Sequence, residues 1–320
     1  MYQPPYTLTS KILKRIISVS SKLGEINAAH LNRPSLELRK RNRIRTIQSS
    51  LAIEGNTLSE AQITALFDNK RVIGPEREIV EVQNAIEVYN RLNEFKSSES
   101  KSFLLAHKIL MGGLIDSAGK YRAESVGIVK GDAVAHLAPP ANRVHPLMLD
   151  LFRYLKESED VVLIKSCVFH YEMEFIHPFL DGNGRMGRLW QTIILMKEYP
   201  VFEFLPLETI IKDRQEMYYE ALSVSDKSGE SSQFIEFMLE VIEESLENLL
   251  QSQRINLSGE ERMNRFQAII KNDSFSRKDY MRFFKDISEA TASRDLRKAV
   301  ESGILLKTGD KRLTTYQFGR

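Results

Sequence analysis

The 320-residue sequence holds one cysteine, Cys167, and one tryptophan, Trp190. A single thiol excludes an internal disulfide framework and any multi-cysteine metal site, and it fits a reducing compartment. A surplus of either charge is also missing, because 45 Lys and Arg stand against 43 Asp and Glu for a net charge of +2. That balance excludes a nucleic-acid coat or a polybasic membrane binder spread over the whole chain, so any basic function must be local. No apolar run approaches the ~18 residues of a membrane span. The opening MYQPPYTLTSKILKRI places prolines and charges where a secretory segment needs continuous apolar residues. The expectation is a cytoplasmic protein with no membrane partner.

What is present is a helical rhythm in a globular mix, 42% apolar and 28% charged. From Ser35 to Asn56, a basic stretch carries Leu36, Leu38, Ile44, Ile47, Leu51 and Ile53 and stops at Gly55, a helix C-terminal signal. Ile164, Val168, Tyr171 and Phe175 form one stripe of a buried-face helix, and Phe234, Phe237, Met238, Val241, Ile242, Leu246 and Leu249 form another. The N-terminal segment, residues 1–34, has apolar positions suited to packing on the core. The bulk of the chain reads as a mainly α helical bundle. Residues 125–138, SVGIVKGDAVAHLA closed by Pro139-Pro140, break the rhythm and predict one hairpin.

Residues 251–261 (QSQRINLSGEE) read as a linker, after which the composition changes. Residues 262–320 then read as helix, helix capped by Ser276, helix from Ser288 to a Gly303 stop, and a two-strand wing over 304–318. That order looks like a winged helix-turn-helix domain, with Arg294, Arg297 and Lys298 on the third helix. Two readings stand for it: DNA binding, or protein contacts and dimerisation.

The chemistry concentrates in His177 to Arg188, HPFLDGNGRMGR. Pro178 cannot continue the preceding helix, and Gly182-Asn183-Gly184 permits the backbone to turn into the next one. A glycine-rich helix start offers N–H groups and a positive dipole end to phosphate, and Arg185 and Arg188 add forked donors one turn apart. Asp181 is a hard oxygen ligand beside that cradle, suited to a magnesium ion held jointly with nucleotide phosphates. His177 is the nearby group that titrates near neutrality. Rival patterns fit less well. Gly182, Gly184 and Gly187 match G-x-G-x-x-G in form but follow a helix where a dinucleotide fingerprint needs a strand. A metal cluster of His170, Glu174, His177 and Asp181 is interrupted by Pro178, and no Walker loop is present.

HPFLDGNGRMGR resembles the Fic-family signature H-x-F-x-[DE]-G-N-G-R-x-x-R at every specified position. Ser50-Leu51-Ala52-Ile53-Glu54-Gly55 resembles the family's inhibitory motif [ST]-x-x-x-E-[GN], and the hairpin resembles its flap. The resemblance covers roughly residues 35–250, with the inhibitory helix at about 40–56. It implies a Fic-type bundle that transfers AMP from ATP to a Ser, Thr or Tyr hydroxyl of a target protein, the chain itself included. It further implies His177 as general base, Asp181 as ligand of Mg2+, Gly182, Asn183 and Gly184 on the α- and β-phosphates, Arg185 on the β-phosphate and Arg188 on the γ-phosphate. Ser50, Glu54 and Gly55 would form the inhibitory segment, with the Glu54 carboxylate competing for Arg188. Tyr218 and Tyr219 stand either as an adenine wall or as packing. AMP removal, transfer of another phosphate-containing group, a DNA-binding regulator with a nucleotide-sensing site, and a homodimer all stay open.

Overall fold

The computed structural model describes residues 3–29, 31, 35–130, 133–256, 258–270, 274–284, 287–310 and 314–319. These fall into two compact units, Met1–Glu247 and Asn248–Arg320. The first unit opens with α1 (Ser10–Ala28), capped by the Thr9 side chain, and α2 (Leu36–Ile53), capped by Ser35. Next come α3 (Glu60–Phe67) and α4 (Glu76–Asn90), a short 3-10 turn (Leu92–Glu94) and α5 (Ser100–Leu110). Ser59 and Gln62 close a reciprocal capping box at the start of α3, which removes two orphan N–H groups at once.

The hairpin follows: β1 (Gly127–Lys130) pairs antiparallel with β2 (Ala133–Leu137), with a register shift between Ile128 and Val129. Gly131 and Asp132, expected at its turn, lie outside the described residues. Then come α6 (Ala141–Glu157), α7 (Val162–Ile176), α8 (Asn183–Glu198), a second 3-10 turn (Pro200–Phe204), α9 (Leu207–Asp213), α10 (Gln215–Ser228) and α11 (Ser232–Asn256). Residues 251–256, which composition marks as linker, continue α11. Backbone propagation costs little once a long helix exists, so the helix runs on through the polar stretch.

Position is set by burial. Phe103, Phe169, Phe179 and Trp190 are fully buried, and Phe103 touches Phe152, Phe169, Phe179 and Trp190 at centroid distances from 5.0 to 6.0 Å. This aromatic cluster lies beneath the α7–α8 connection and fixes where that loop emerges. Burying such side chains is worth ~1.5–3 kcal/mol each, so the loop rests on the most strongly held part of the unit.

The second unit contains α12 (Gly259–Ile270), α13 (Arg277–Phe283), α14 (Glu289–Glu301) and a hairpin of β3 (Leu305–Thr308) with β4 (Thr315–Phe318). Ser276 and Ser288 cap their helices as the sequence predicts. A backbone bridge between Phe275 and Tyr316 adds a third strand segment to the hairpin. Its own core packs Phe266, Phe275, Tyr280, Leu296, Leu305 and Phe318. The Leu313 position expected in the wing lies outside the described residues.

Candidate active site

Chain direction reverses between α7 and α8, and each residue of the loop has a local reason for its place. His177 ends α7 in the left-handed conformation, φ 50° and ψ 60°, with its N–H still bonded to Met173 O at 3.0 Å. Left-handed backbone is uncommon for a residue with a side chain and marks sites held by their surroundings. Gly182 is left-handed too, at φ 87°, and a Cβ there would meet Met111 Sδ at 2.7 Å. Glycine is required there on both counts. The first helical bond of α8 runs from Met186 N to Gly182 O at 3.0 Å. Hence the N–H groups of Asn183, Gly184 and Arg185 have no partner within the helix and form an anion-binding terminus.

Asn183 departs from the expected donor role. Its Oδ1 accepts from Phe179 N and its Nδ2 donates to Phe179 O, both at 2.9 Å, so the carboxamide braces the loop. Only its backbone N–H is left for a phosphate. Phe179 is fully buried and stacks on His107 with centroids 3.5 Å apart and planes 5° off parallel. His107 Nδ1 accepts from Gly119 N at 2.9 Å, which leaves Nε2 to donate to Asp181 O at 3.0 Å. Burial lowers the pKa of His107 to about 4, keeping the ring neutral in this role.

The four charged groups of the loop and the inhibitory segment meet at the helix start. Glu54 caps α2 and puts Oε1 2.7 Å from Arg188 Nη2. Arg188 also donates from Nη2 to Ser50 O at 2.9 Å and from Nε to Ser50 Oγ at 3.2 Å. Gly55 follows at φ 93° and lets the chain turn away directly after the carboxylate. A Cβ on Gly184 would overlap Glu54 Oε1 and lie 3.1 Å from Arg188 Nη1. Nη1 itself is buried without a hydrogen-bond partner. An orphaned guanidinium nitrogen beside a side-chain-free surface is an anion site that Glu54 half fills. Burial works to lower the pKa of Arg188, but Glu54, Tyr218 and Glu174 together offset it and the group stays above its ordinary range.

Arg185 takes a different direction. Its Nη2 lies 2.5 Å from Asp181 Oδ1, and its Nη1 lies 3.3 Å from Glu81 Oε1 on α4. Asp181 Oδ1 also accepts from Gly182 N at 2.6 Å. One carboxylate at a phosphate-binding helix start suits magnesium, which keeps waters and takes few protein ligands. Among the described residues no group of three or more His, Cys, Asp or Glu could hold a metal without such help.

Residues 98–195 match the Fic/DOC family. A Fic family protein from Desulfovibrio desulfuricans G20 is 39% identical in sequence, covers 99% of this chain and 98% of its own, and superposes with a TM-score of 0.77. The chain belongs to the Fic family. A protein adenylyltransferase Fic of Nematostella vectensis is 29% identical over 268 residues, 80% of this chain and 59% of its own length. One of Drosophila erecta is 27% identical over 247 residues, 73% of this chain and 47% of its own. The chain therefore spans about half the length of the curated relatives it matches. The Fic-1 fragment from C. elegans, at 23% identity and a TM-score of 0.65, shares the fold.

In this Fic chain the two tyrosines part company. Tyr218 is 1% exposed and its hydroxyl lies 3.1 Å from His170 Nε2 and 3.4 Å from Glu174 Oε1, so it packs beneath the site and is no adenine wall. A large ring in the middle of α10 stays buried because α7 covers it. Tyr219 is partly buried beside it. His170 gives its Nδ1 to Gln191 Oε1 at 2.7 Å, and burial lowers its pKa to about 3.

Three groups near the site, Arg122, Glu174 and Glu208, have surroundings that the sequence pattern does not give. Arg122, 3% exposed, donates to four carbonyls: Nε to His177 O at 2.7 Å, Nη2 to Ile176 O at 3.2 Å and Pro139 O at 2.5 Å, and Nη1 to Glu124 O at 2.7 Å. Its backbone N–H donates to Pro178 O at 2.9 Å. One guanidinium thereby ties the His177 turn to both ends of the hairpin. Glu174 is pushed up to about 7 by burial and then by the Glu54 charge. Glu208, 1% exposed on α9, is also pushed up to about 7 by burial and accepts from Tyr89 Oη at 3.2 Å. A lone arginine in a loop and a single acid on the short α9 carry no periodicity, so no signal marks Arg122 or Glu208, whereas Glu174 stands in the sequence only as part of the rival metal cluster.

Proposed function

We propose that the chain is a nucleotidyltransferase that moves AMP from ATP to a hydroxyl of a target protein, itself included, and is held idle by Glu54. The observation that carries this reading is the Glu54–Arg188 contact at 2.7 Å, set against an unpartnered Arg188 Nη1 at the start of α8. An arginine held by a displaceable carboxylate where a helix terminus offers N–H groups is what a γ-phosphate would compete for.

In this mechanism ATP lays its phosphates along the N–H groups of Asn183, Gly184 and Arg185. Arg188 takes the γ-phosphate once Glu54 leaves, and Arg185 takes charge from the β-phosphate. His177 removes the proton from the attacking Ser, Thr or Tyr hydroxyl. The target oxygen bonds to the α-phosphorus while the bond to the β-phosphate oxygen breaks, and pyrophosphate departs. Asp181 would hold Mg2+ together with the phosphates, and that ion, when bound, neutralises phosphate charge. The β1–β2 hairpin offers a strand edge on which an extended target segment pairs. The core of residues 35–250 would carry this chemistry. The buried free thiol of Cys167 fits a reducing, cytoplasmic setting.

The test is AMP incorporation from ATP labelled on the α-phosphate, comparing wild type, Glu54→Gly, and Glu54→Gly with His177→Ala, with magnesium or with chelator. Label in Glu54→Gly alone, dependent on magnesium and lost without His177, is the expected result. Label that persists without His177 sinks the assignment. Loss of label from a pre-modified target would instead favour AMP removal at the same site.

A second reading concerns residues 248–320, a winged helix in the proposed scheme. They hold 15 Lys and Arg against 9 Asp and Glu, while residues 1–247 hold 30 against 34. Arg294, Arg297 and Lys298 are exposed on α14. This local basic surplus supports DNA binding by that unit. A gel shift whose affinity falls steeply with salt is expected, and an affinity indifferent to salt would refute it.

A further inference from the structure

Beyond Glu54 itself, the turn that follows it is fastened to α4. Asn56, 8% exposed, donates from Nδ2 to Glu81 Oε2 at 2.9 Å and to Glu78 O at 3.2 Å, while its Oδ1 accepts from Leu58 N at 3.1 Å. Thr57 adds two more contacts, because its N and Oγ1 both donate to Glu78 Oε2, at 2.6 and 2.9 Å. The Glu81 carboxylate is only 14% exposed, and its other oxygen lies 3.3 Å from Arg185 Nη1. Arg185 in turn holds Asp181, and Arg77 closes the ring by approaching Asp181 Oδ2 at 3.4 Å and Glu81 Oε1 at 3.9 Å.

We propose that Glu81 is a positioning residue that joins the inhibitory turn to the phosphate-side arginine, so that Glu54 on Arg188 and Arg185 on Asp181 form one latch. The proposal rests on the reading of Glu54 as the brake. Its physical content is preorganisation. A glutamate at the frayed end of a helix, next to a glycine, loses conformational freedom when it grips Arg188. Pinning Asn56 two residues on removes most of that freedom beforehand and strengthens the grip. The same carboxylate holds Arg185 away from incoming phosphate by occupying its Nη1. A nucleotide must then break both ion pairs, and a loosened turn frees Arg185 as well as Glu54.

Asn56→Ala removes the fastening while leaving Glu54, Glu81 and every motif residue in place. Asn56→Asp keeps the shape but sets a carboxylate against Glu81, and serves if the alanine variant folds poorly. Two readouts are taken: amide hydrogen exchange in nucleotide-free protein, and AMP incorporation in the wild-type and Glu54→Gly backgrounds. Both variants should speed exchange over residues 51–57 and over 183–188 about tenfold. A tenfold change equals about 1.4 kcal/mol, at the upper end of the net worth of one intramolecular hydrogen bond. Incorporation should rise about tenfold in the wild-type background and change less than twofold in Glu54→Gly, a coupling that a purely structural defect would not produce. Equal factors in the two backgrounds overturn the latch, as does unchanged exchange over 183–188. If Glu54→Gly itself transfers no AMP, the transfer reading fails and exchange alone decides: faster exchange in both segments upholds the latch, and in 51–57 alone overturns it.

Discussion

Glu54 Oε1 and Arg188 Nη2 lie 2.7 Å apart across 134 positions of sequence, and Ser50 accepts from the same guanidinium, its carbonyl from Nη2 and its hydroxyl from Nε. Two residues of the Ser50–Gly55 segment therefore hold one side chain together. Arg188→Ala should abolish AMP transfer even in the Glu54→Gly background, because no other group in the loop reaches that position. Incorporation by that double variant within about tenfold of Glu54→Gly would contradict the role given to Arg188.

Gly184 offers a sharper test of the contact, because stability alone reads it. Alanine at a helical position is ordinarily better than glycine by ~0.5–1 kcal/mol. Here its Cβ would overlap the Glu54 carboxylate. Gly184→Ala should therefore lower the melting temperature of the wild type and raise that of Glu54→Gly. The same sign in both backgrounds would show that Glu54 does not sit where the structure places it.

Arg122 is expected to matter to turnover more than to nucleotide binding. Arg122→Ala strips partners from the carbonyls of His177, Ile176, Pro139 and Glu124, at a cost of ~1–3 kcal/mol for each carbonyl left buried. Against a Glu54→Gly background, kcat should fall at least tenfold, with KM for ATP moving less than threefold, because His177 and the hairpin lose their common anchor. Lysine, with a single ammonium, should rescue little. A variant that weakens ATP binding as much as turnover would move Arg122 into general stability.

Glu208 carries a pH signature. Its folded pKa of about 7 lies above the ordinary carboxylate value of 4.5 because burial disfavours the charged form. The folded state then binds more protons than the unfolded one between those values, so this group's contribution is greatest at low pH and is lost as pH rises toward 7. Glu208→Gln, which stays neutral, should gain stability relative to wild type by up to ~3 kcal/mol between pH 4.5 and pH 8. Melting curves of the two proteins across that range check it. A constant difference would mean that Glu208 is already charged in the fold.

The residues of the loop were legible because the chemistry sits in consecutive positions. His177 to Arg188 span one helix end, one turn and one helix start, and the proline and glycines that break the rhythm are local signals. Helix caps at Ser276 and Ser288 were legible for the same reason. Residues 251–256 were not, because a polar stretch that merely prolongs a long helix has the composition of a linker.

The sequence by itself determined the mainly α class, the family motif and the Ser50–Gly55 segment that resembles the family's inhibitory motif, all of which depend on spacing within a few turns of chain. Tertiary structure alone decided that Glu54 reaches Arg188, that Tyr218 lies beneath the site, and that Arg122, Glu81 and Glu208 stand around it. Periodicity constrains residues three or four positions apart on one helix. Contacts across 134 positions arise from how separate helices bury their faces against one another, and no local pattern encodes that distance.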